Sequence, residues 1–316
     1  MTQKMLVYVG DELANYHFGP HHPFGAKRHA AFYDEFIKRA LHKRVHICSP
    51  VLANDNDIAL FHQPDYIEQV RQQSASGNGY LDSGDTPAIP GIFEAASFVV
   101  GSALDATQRI MAGEHRKAFI PIAGLHHATR SSAAGFCVFN DCGVVIEALR
   151  KNYQLSSIAY VDIDAHHGDG VFYAFENDAD VIFADLHQDG RSLYPGTGAA
   201  NETGHGPGKG KKLNIPMPSG ATDQQMFEQW PQVETLLKTH QPEFIILQCG
   251  ADSLDGDPIT SMKYSAQAHR YASQRLCQLA NQLGHGRLLA LGGGGYNLTN
   301  IAMAWNAVVE ALIENP

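Results

Sequence analysis

Basic charge is scarce in this chain: 23 lysines and arginines stand against 33 aspartates and glutamates over 316 residues, for a formal net charge of −10. The only basic run worth the name is residues 209–212. Such a balance disfavours nucleic acid and anionic membrane as partners and suits a neutral or cationic substrate. Cysteine is also sparse. Cys48, Cys137, Cys142, Cys249 and Cys277 are odd in number and include no Cys-x-x-Cys pair, so neither a disulfide framework nor a thiolate zinc knuckle is expected, and the thiols read as reduced ones of a cytoplasmic protein. A long apolar run is missing too. The first ten residues read as a strand without a cleavage pattern, so neither a signal peptide nor a membrane span is expected. Finally, there is no Gly-x-Gly-x-x-Gly and no Gly-Lys-Ser/Thr, which removes the usual phosphate-cradling loops.

What is present is a rhythm of short apolar runs and longer amphipathic ones. Strands are expected over 5–9, 117–122, 157–161, 181–185, 244–248 and 287–291, and helices over 30–42, 91–111, 141–152, 222–239, 265–283 and 298–314. The alternation implies a single α/β domain spanning 1–316, an open and mainly parallel sheet with helices on both faces. No linker or repeat divides it. The Gly- and Pro-rich stretch 194–210 reads as a long functional loop.

In such sheets ligands bind beyond the carboxyl ends of the strands. Four polar groups fall there: Gly124-Leu125-His126-His127, the run from Asp162 to Asp169, Gly250-Ala251-Asp252, and Gly292-Gly293-Gly294-Gly295-Tyr296. The run Tyr160-Val161-Asp162-Ile163-Asp164-Ala165-His166-His167-Gly168-Asp169-Gly170 is the densest. In extended chain alternate side chains point one way, so Asp162, Asp164 and His166 can converge. Carboxylates and an imidazole at that spacing suit a small divalent cation, zinc first. Asp164, His166 and Asp252 would leave a coordination position open for water or substrate, which marks a catalytic site. The doublet His126-His127 supplies proton chemistry, with Asp162 and Asp169 available to orient the rings. Glycines 292–295 let backbone approach the site, and Tyr296 can donate to a developing oxyanion.

These motifs resemble the zinc-dependent histone deacetylase superfamily, most closely its bacterial acetoin-utilisation branch. The resemblance runs through His22-Pro23-Phe24 with Arg28, Gly91-Ile92-Phe93-Glu94, Gly124 to Ala128, Gly135-Phe136-Cys137-Val138-Phe139-Asn140-Asp141, Val161 to Gly170, Tyr194-Pro195-Gly196-Thr197-Gly198, Gly250-Ala251-Asp252 with Gly256-Asp257-Pro258, and Leu291 to Tyr296. It implies an arginase/deacetylase-like fold and an amidohydrolase acting on acylated lysine in a peptide or protein. One zinc would sit on Asp164, His166 and Asp252, with Tyr296 polarising the carbonyl. His127 with Asp169 would be general base and then acid, and His126 with Asp162 its electrostatic partner. Gly135, Phe136 and Tyr194 would wall the substrate tunnel, Gly294 would line it, and Asp85 would hold the substrate backbone. Potassium would be bound at an inner site made by Asp162, Asp164, His166, Asp185 and Leu186, and at an outer one near Phe175, Asp178 and Val181.

Three departures qualify the resemblance. Tyr194 replaces a common Phe, and Asp185 replaces a common Ser. Ile259 stands where polyamine-specific relatives carry a gatekeeper Glu, which weakens the alternative of an acetylpolyamine amidohydrolase. Arginase-type chemistry with two manganese ions would need a carboxylate at Gly250, and a metal-bearing binding module without catalysis would not need both histidines and Tyr296. A homo-oligomer is left open.

Overall fold

The structure is a computed structural model describing residues 4–315. Eight strands, all in parallel pairings, form one sheet: β1 Leu6–Tyr8, β2 His46–Cys48, β3 Lys117–Ile120, β4 Ile158–Asp162, β5 Val181–Gln188, β6 Lys212–Met217, β7 Phe244–Gln248 and β8 Leu288–Leu291, in the order β2-β1-β3-β8-β7-β4-β5-β6. The helices are α1 Asp11–Ala14, α2 Lys27–Lys38, α3 Asp55–Ile58, α4 Pro64–Ser76, α5 Ile92–Met111, α6 Asp141–Tyr153, α7 Asp169–Phe175, α8 Asp223–His240, α9 Ala266–Gln282 and α10 Leu298–Glu314. In one layer α2 packs on α10, α10 on α9 and α9 on α8; in the other α5 packs on α6, α4, α3 and α1, and α6 on α7.

Every residue of the inner strands β3, β4, β7 and β8 is buried. That is why these segments carry unbroken apolar runs rather than alternation. Phe32 of α2, Phe119 of β3 and Trp305 of α10 meet within 6.2 Å ring to ring, clamping one helical layer to the sheet. The indole N–H of Trp305 also donates to the carbonyls of Cys249 and Gly292, just past β7 and β8, so the core directly holds two of the loops that build the site.

All six expected strands and all six expected helices form, with ends shifted by up to four residues. The expectation missed the two outermost strands, β2 and β6. Both are edges: β2 has two exposed residues of three, and β6 carries Lys212, Asn214 and Pro216 among its apolar residues. An edge strand tolerates exposed and polar residues and proline, so the pattern of both reads as loop. The short helices α1, α3 and α7 and the longer α4 were missed as well; α4 is the instructive one. Its buried face is only Tyr66, Ile67, Val70 and Ser74, on an otherwise polar helix begun by Pro64.

Candidate active site

The four central strands β3, β8, β7 and β4 are neighbours, and the loops leaving their carboxyl ends converge. Past the end of β4 at Asp162 the chain bends over residues 164–166, where the Asp164 carboxylate accepts from the His166 N–H at 3.0 Å and keeps the two side chains together. Asp252 arrives on the turn after β7. Ligand atoms of Asp164, His166 and Asp252 lie within 4.8 Å of one another, all three residues buried. Carboxylate oxygens of Asp164 and Asp252 each stand 3.1 Å from His166 Nδ1. Two buried carboxylates converging on one imidazole nitrogen are costly without a cation among them, and their oxygen and nitrogen donors are those zinc accepts. The residues therefore fit the metal that the sequence suggests.

Outer partners hold these donors. Gln248, the last residue of β7, donates from Nε2 to Asp164 Oδ2 at 2.8 Å and accepts from the Gly250 N–H at 2.8 Å. The Gly294 N–H donates to the same Asp164 oxygen at 2.9 Å. A Cβ on Gly294 would stand 2.1 Å from Asp252 Oδ2, so only glycine lets this backbone close on the carboxylates. Gln248 escaped the sequence reading, although a polar residue ending an apolar strand, in register with Asp162, was a signal for it.

His126 and His127 follow β3. Asp141 accepts from the N–H groups of Gly124 and Leu125 at 2.9 and 2.8 Å, and the Asn140 side chain donates to the Ala128 carbonyl at 2.8 Å. These two residues at the start of α6 thus fix the turn that carries the doublet. His126 Nδ1 lies 2.7 Å from Asp162 Oδ2, and His127 Nδ1 lies 2.6 Å from Asp169 Oδ1. With each Nδ1–H committed to a carboxylate, both Nε2 atoms face the cavity, 3.1 Å apart. Two N–H groups cannot point at each other at that distance, so one Nε2 carries a proton and the other a lone pair. Burial lowers His126, but the charges of Asp162 and Asp164 outweigh it and raise the ring to about 10. Burial, and then the His126 charge, pull His127 below its ordinary value. The lone pair therefore belongs to His127. Tyr160 adds a partner the sequence did not announce, its hydroxyl donating to Asp162 Oδ2 at 2.5 Å.

Both histidines share one cavity with Asp164, His166, Gly293, Gly294 and Tyr296, with room at its floor for about 20 Å³, roughly one water. Burial, then the Asp252 carboxylate, raise the Tyr296 phenol well above its usual value, so it stays a proton-bearing donor. Asp257 fastens it by accepting its backbone N–H at 2.8 Å.

The expected tunnel residues come together. Ala134 and Cys137 exchange both backbone hydrogen bonds around Gly135 and Phe136, whose φ values are +52° and +66°, a two-residue turn of the type that needs both angles positive. It sets the Phe136 ring 5.8 Å from Tyr296, while Tyr194 lies 5.2 Å from His127. Tyr16 braces the turn, donating to the Phe136 carbonyl at 2.7 Å and accepting from the Val138 N–H at 2.9 Å. Asp85 lies on the rim with Asp82 and Tyr194, around a hollow of about 340 Å³. Its backbone is held by His22, which donates from Nε2 because Nδ1 already accepts from the Phe24 N–H. Ile259 is half-buried, with its N–H on Asp257.

Of the two expected monovalent sites, the residues of the inner one gather where Asp162 pairs across to Asp185. The Asp185 carboxylate there holds the Gly168 N–H and the ring of His187. Phe175, Asp178 and Val181 also lie together, at the turn between α7 and β5, but not as an open site. The carbonyls of Asp178 and Val181 accept from the ammonium of Lys212, and that of Phe175 accepts from the Asp178 N–H.

An open parallel sheet carrying an Asp-His-Asp group and a carboxylate-backed histidine pair at its carboxyl edge defines a metal-assisted hydrolase. The histone deacetylase domain matches residues 22–312. The acetoin utilization protein AcuC of Bacillus subtilis is 35% identical over 96% of this chain and 81% of its own length. Histone deacetylase clr6 of Schizosaccharomyces pombe is 30% identical over 96% of this chain and 75% of its own. Histone deacetylase 6 of Arabidopsis thaliana is 32% identical over 96% of this chain and 65% of its own. The chain belongs to the histone deacetylase family, a family of zinc-dependent hydrolases. Among the described residues no helix is long and apolar enough to cross a membrane.

Proposed function

We propose that this protein removes acetyl or short acyl groups from acylated lysine in peptides and proteins, releasing the carboxylic acid and the free amine. The observation that carries the reading is the cavity lined by the histidine pair, Tyr296, and Asp164 and His166, whose ligand atoms cluster with that of the buried Asp252. A zinc ion held by Asp164, His166 and Asp252 supplies a Lewis acid that polarises the acyl carbonyl and acidifies a water. The neutral His127 Nε2, once its lone pair turns from the His126 N–H to a water, takes the proton from that water as its oxygen attacks the carbonyl carbon. Tyr296 donates to the carbonyl oxygen as negative charge builds on it. His126, held as a cation by Asp162, adds positive charge beside the same oxygen. His127 then passes its proton to the amine nitrogen, the C–N bond breaks, and the acid and amine separate.

Phe136 and Tyr194 suit the aliphatic stem of lysine, and Asp85 is placed to accept from peptide N–H groups. Ile259 offers no acidic gate for a polyamine. A second metal finds no ligand at position 250, because a Cβ on Gly250 would stand 1.9 Å from Asp164 Oδ2. The same reading takes a monovalent cation beside Asp162, Asp185 and the Leu186 carbonyl.

Acid release by the zinc-loaded protein from an acetyl-lysine peptide and from N-acetylputrescine, at matched concentrations, tests the substrate class. Faster release from the peptide is the expected result; faster release from the diamine reassigns the enzyme to polyamines. Removing the metal by dialysis against a chelator is expected to abolish turnover, and one equivalent of zinc to restore it. A requirement for two equivalents would contradict the single site.

Asp85 adds a pH dependence. Partial burial of its carboxyl, then the hydrogen bond and charge of Asp82, raise it to about 6. It is ionised above that pH and protonated below, so its strength as an acceptor is lost as pH falls through about 6. KM for the peptide is expected to rise several-fold between roughly pH 7 and 5, a rise absent in D85N and absent with N-acetylputrescine, which has no flanking peptide N–H groups. A parallel rise for both substrates would remove Asp85 from peptide binding.

A further inference from the structure

We propose that the side-chain ammonium of Lys212 is the resident cation of the outer site, so that this chain takes no metal ion between α7 and β5. Lys212 opens the edge strand β6 and is buried, 2% exposed. Its Nζ donates to the carbonyl of Asp178 at 2.9 Å and to that of Val181. Those two residues, with Phe175, are the three that family resemblance assigns to a second potassium ion. An ammonium has the charge of a potassium ion and a similar size, and it satisfies carbonyl oxygens with up to three N–H donors. A buried cation is costly unless such dipoles surround it, so the two carbonyls and the ammonium need each other.

Four other carbonyls of the turn are already engaged. The Phe175 carbonyl accepts from the Asp178 N–H at 3.0 Å, that of Glu176 from the His205 N–H at 3.0 Å, and that of Asp180 from the Ile158 N–H at 2.8 Å. The Ala179 carbonyl accepts from Lys211 Nζ at 2.5 Å. An added metal ion would have to displace Lys212 and leave its ammonium buried without partners. Because the lysine is part of the chain, its positioning cost is met on folding and does not depend on the salt outside. The contact also ties β6, an edge strand, to the end of α7 and the start of β5. Helix α7 begins at Asp169, the carboxylate that orients His127.

Crystals of the zinc-loaded wild type grown with thallium(I) in place of potassium test this directly, since anomalous scattering locates each monovalent ion. The expected result is no thallium at the Asp178 and Val181 carbonyls. In Lys212→Met, which removes the charge and keeps the apolar stem, thallium is expected to appear there. In solution, potassium compared with lithium at equal ionic strength is expected to raise the Tm of K212M by about 2–4 °C more than that of wild type. Thallium on the Val181 carbonyl of the wild type overturns the proposal. So does a folded K212M that gains neither the ion nor the extra stabilisation. If K212M does not fold, the wild-type crystal alone decides. No readout uses turnover, so the outcome is independent of the assigned activity.

Discussion

Replacing Tyr296 by Phe is expected to lower kcat on an acetyl-lysine peptide by about 10²–10³, with KM within about twofold of wild type. The change removes one hydroxyl and leaves the ring against Phe136 and Phe24, so the wall of the cavity keeps its shape. The phenol keeps its proton because burial and the Asp252 charge raise it well above its ordinary value, so what disappears is a neutral donor aimed at the developing oxyanion. An interaction made mainly in the transition state is lost from kcat and hardly from binding. Zinc content should not change, because Tyr296 lies outside the Asp164–His166–Asp252 group. Unchanged turnover in a zinc-loaded Y296F protein would contradict the mechanism.

His127→Gln is expected to lower kcat by about 10²–10⁴, the range for losing a positioned general base and acid. His126→Gln should cost less. The two rings are neighbours with similar carboxylate partners, and what separates them is charge: Asp162 and Asp164 hold His126 protonated to about 10, while burial and that same cation keep His127 neutral. Only a neutral ring can accept a proton. The sign for pH follows: wild-type kcat should fall on the acid side as His127 protonates, below its ordinary value, and H127Q should lose that limb. Comparable loss in both variants, or a greater loss in H126Q, would reverse the roles.

Much of this site could be read before any coordinates. The motif from Tyr160 to Gly170 suggested metal chemistry through its carboxylates and imidazoles at alternate positions, although the chain bends over 164–166 instead of running on extended past Asp162. The positions of His126, Asp252 and Tyr296 followed from a second regularity, since each ends an apolar run and parallel sheets collect ligands at one edge. Gln248, Tyr160 and Asn140 were harder. Each acts through one or two hydrogen bonds to residues distant in sequence, and a polar residue in a buried segment does not announce its partner. The edge strand β2 was illegible because two of its three residues are exposed, and β6 because Lys212, Asn214 and Pro216 interrupt its apolar residues although the strand is largely buried.

Sequence by itself determined the fold class and the family, and it named the groups proposed for metal binding and acid–base work, because these rest on local pattern and on residue chemistry that survives in any arrangement. Only the tertiary structure decided which histidine presents a lone pair and which a proton, since that depends on the 3.1 Å approach of two rings and the carboxylates behind them. It also decided the occupant of the outer site. Lys212 is more than thirty positions from Val181 in the chain, and no local pattern says that the ammonium of one edge strand will end on the carbonyl that opens its neighbour. Register across the β5–β6 pair brings them together, and register is a property of the packed sheet.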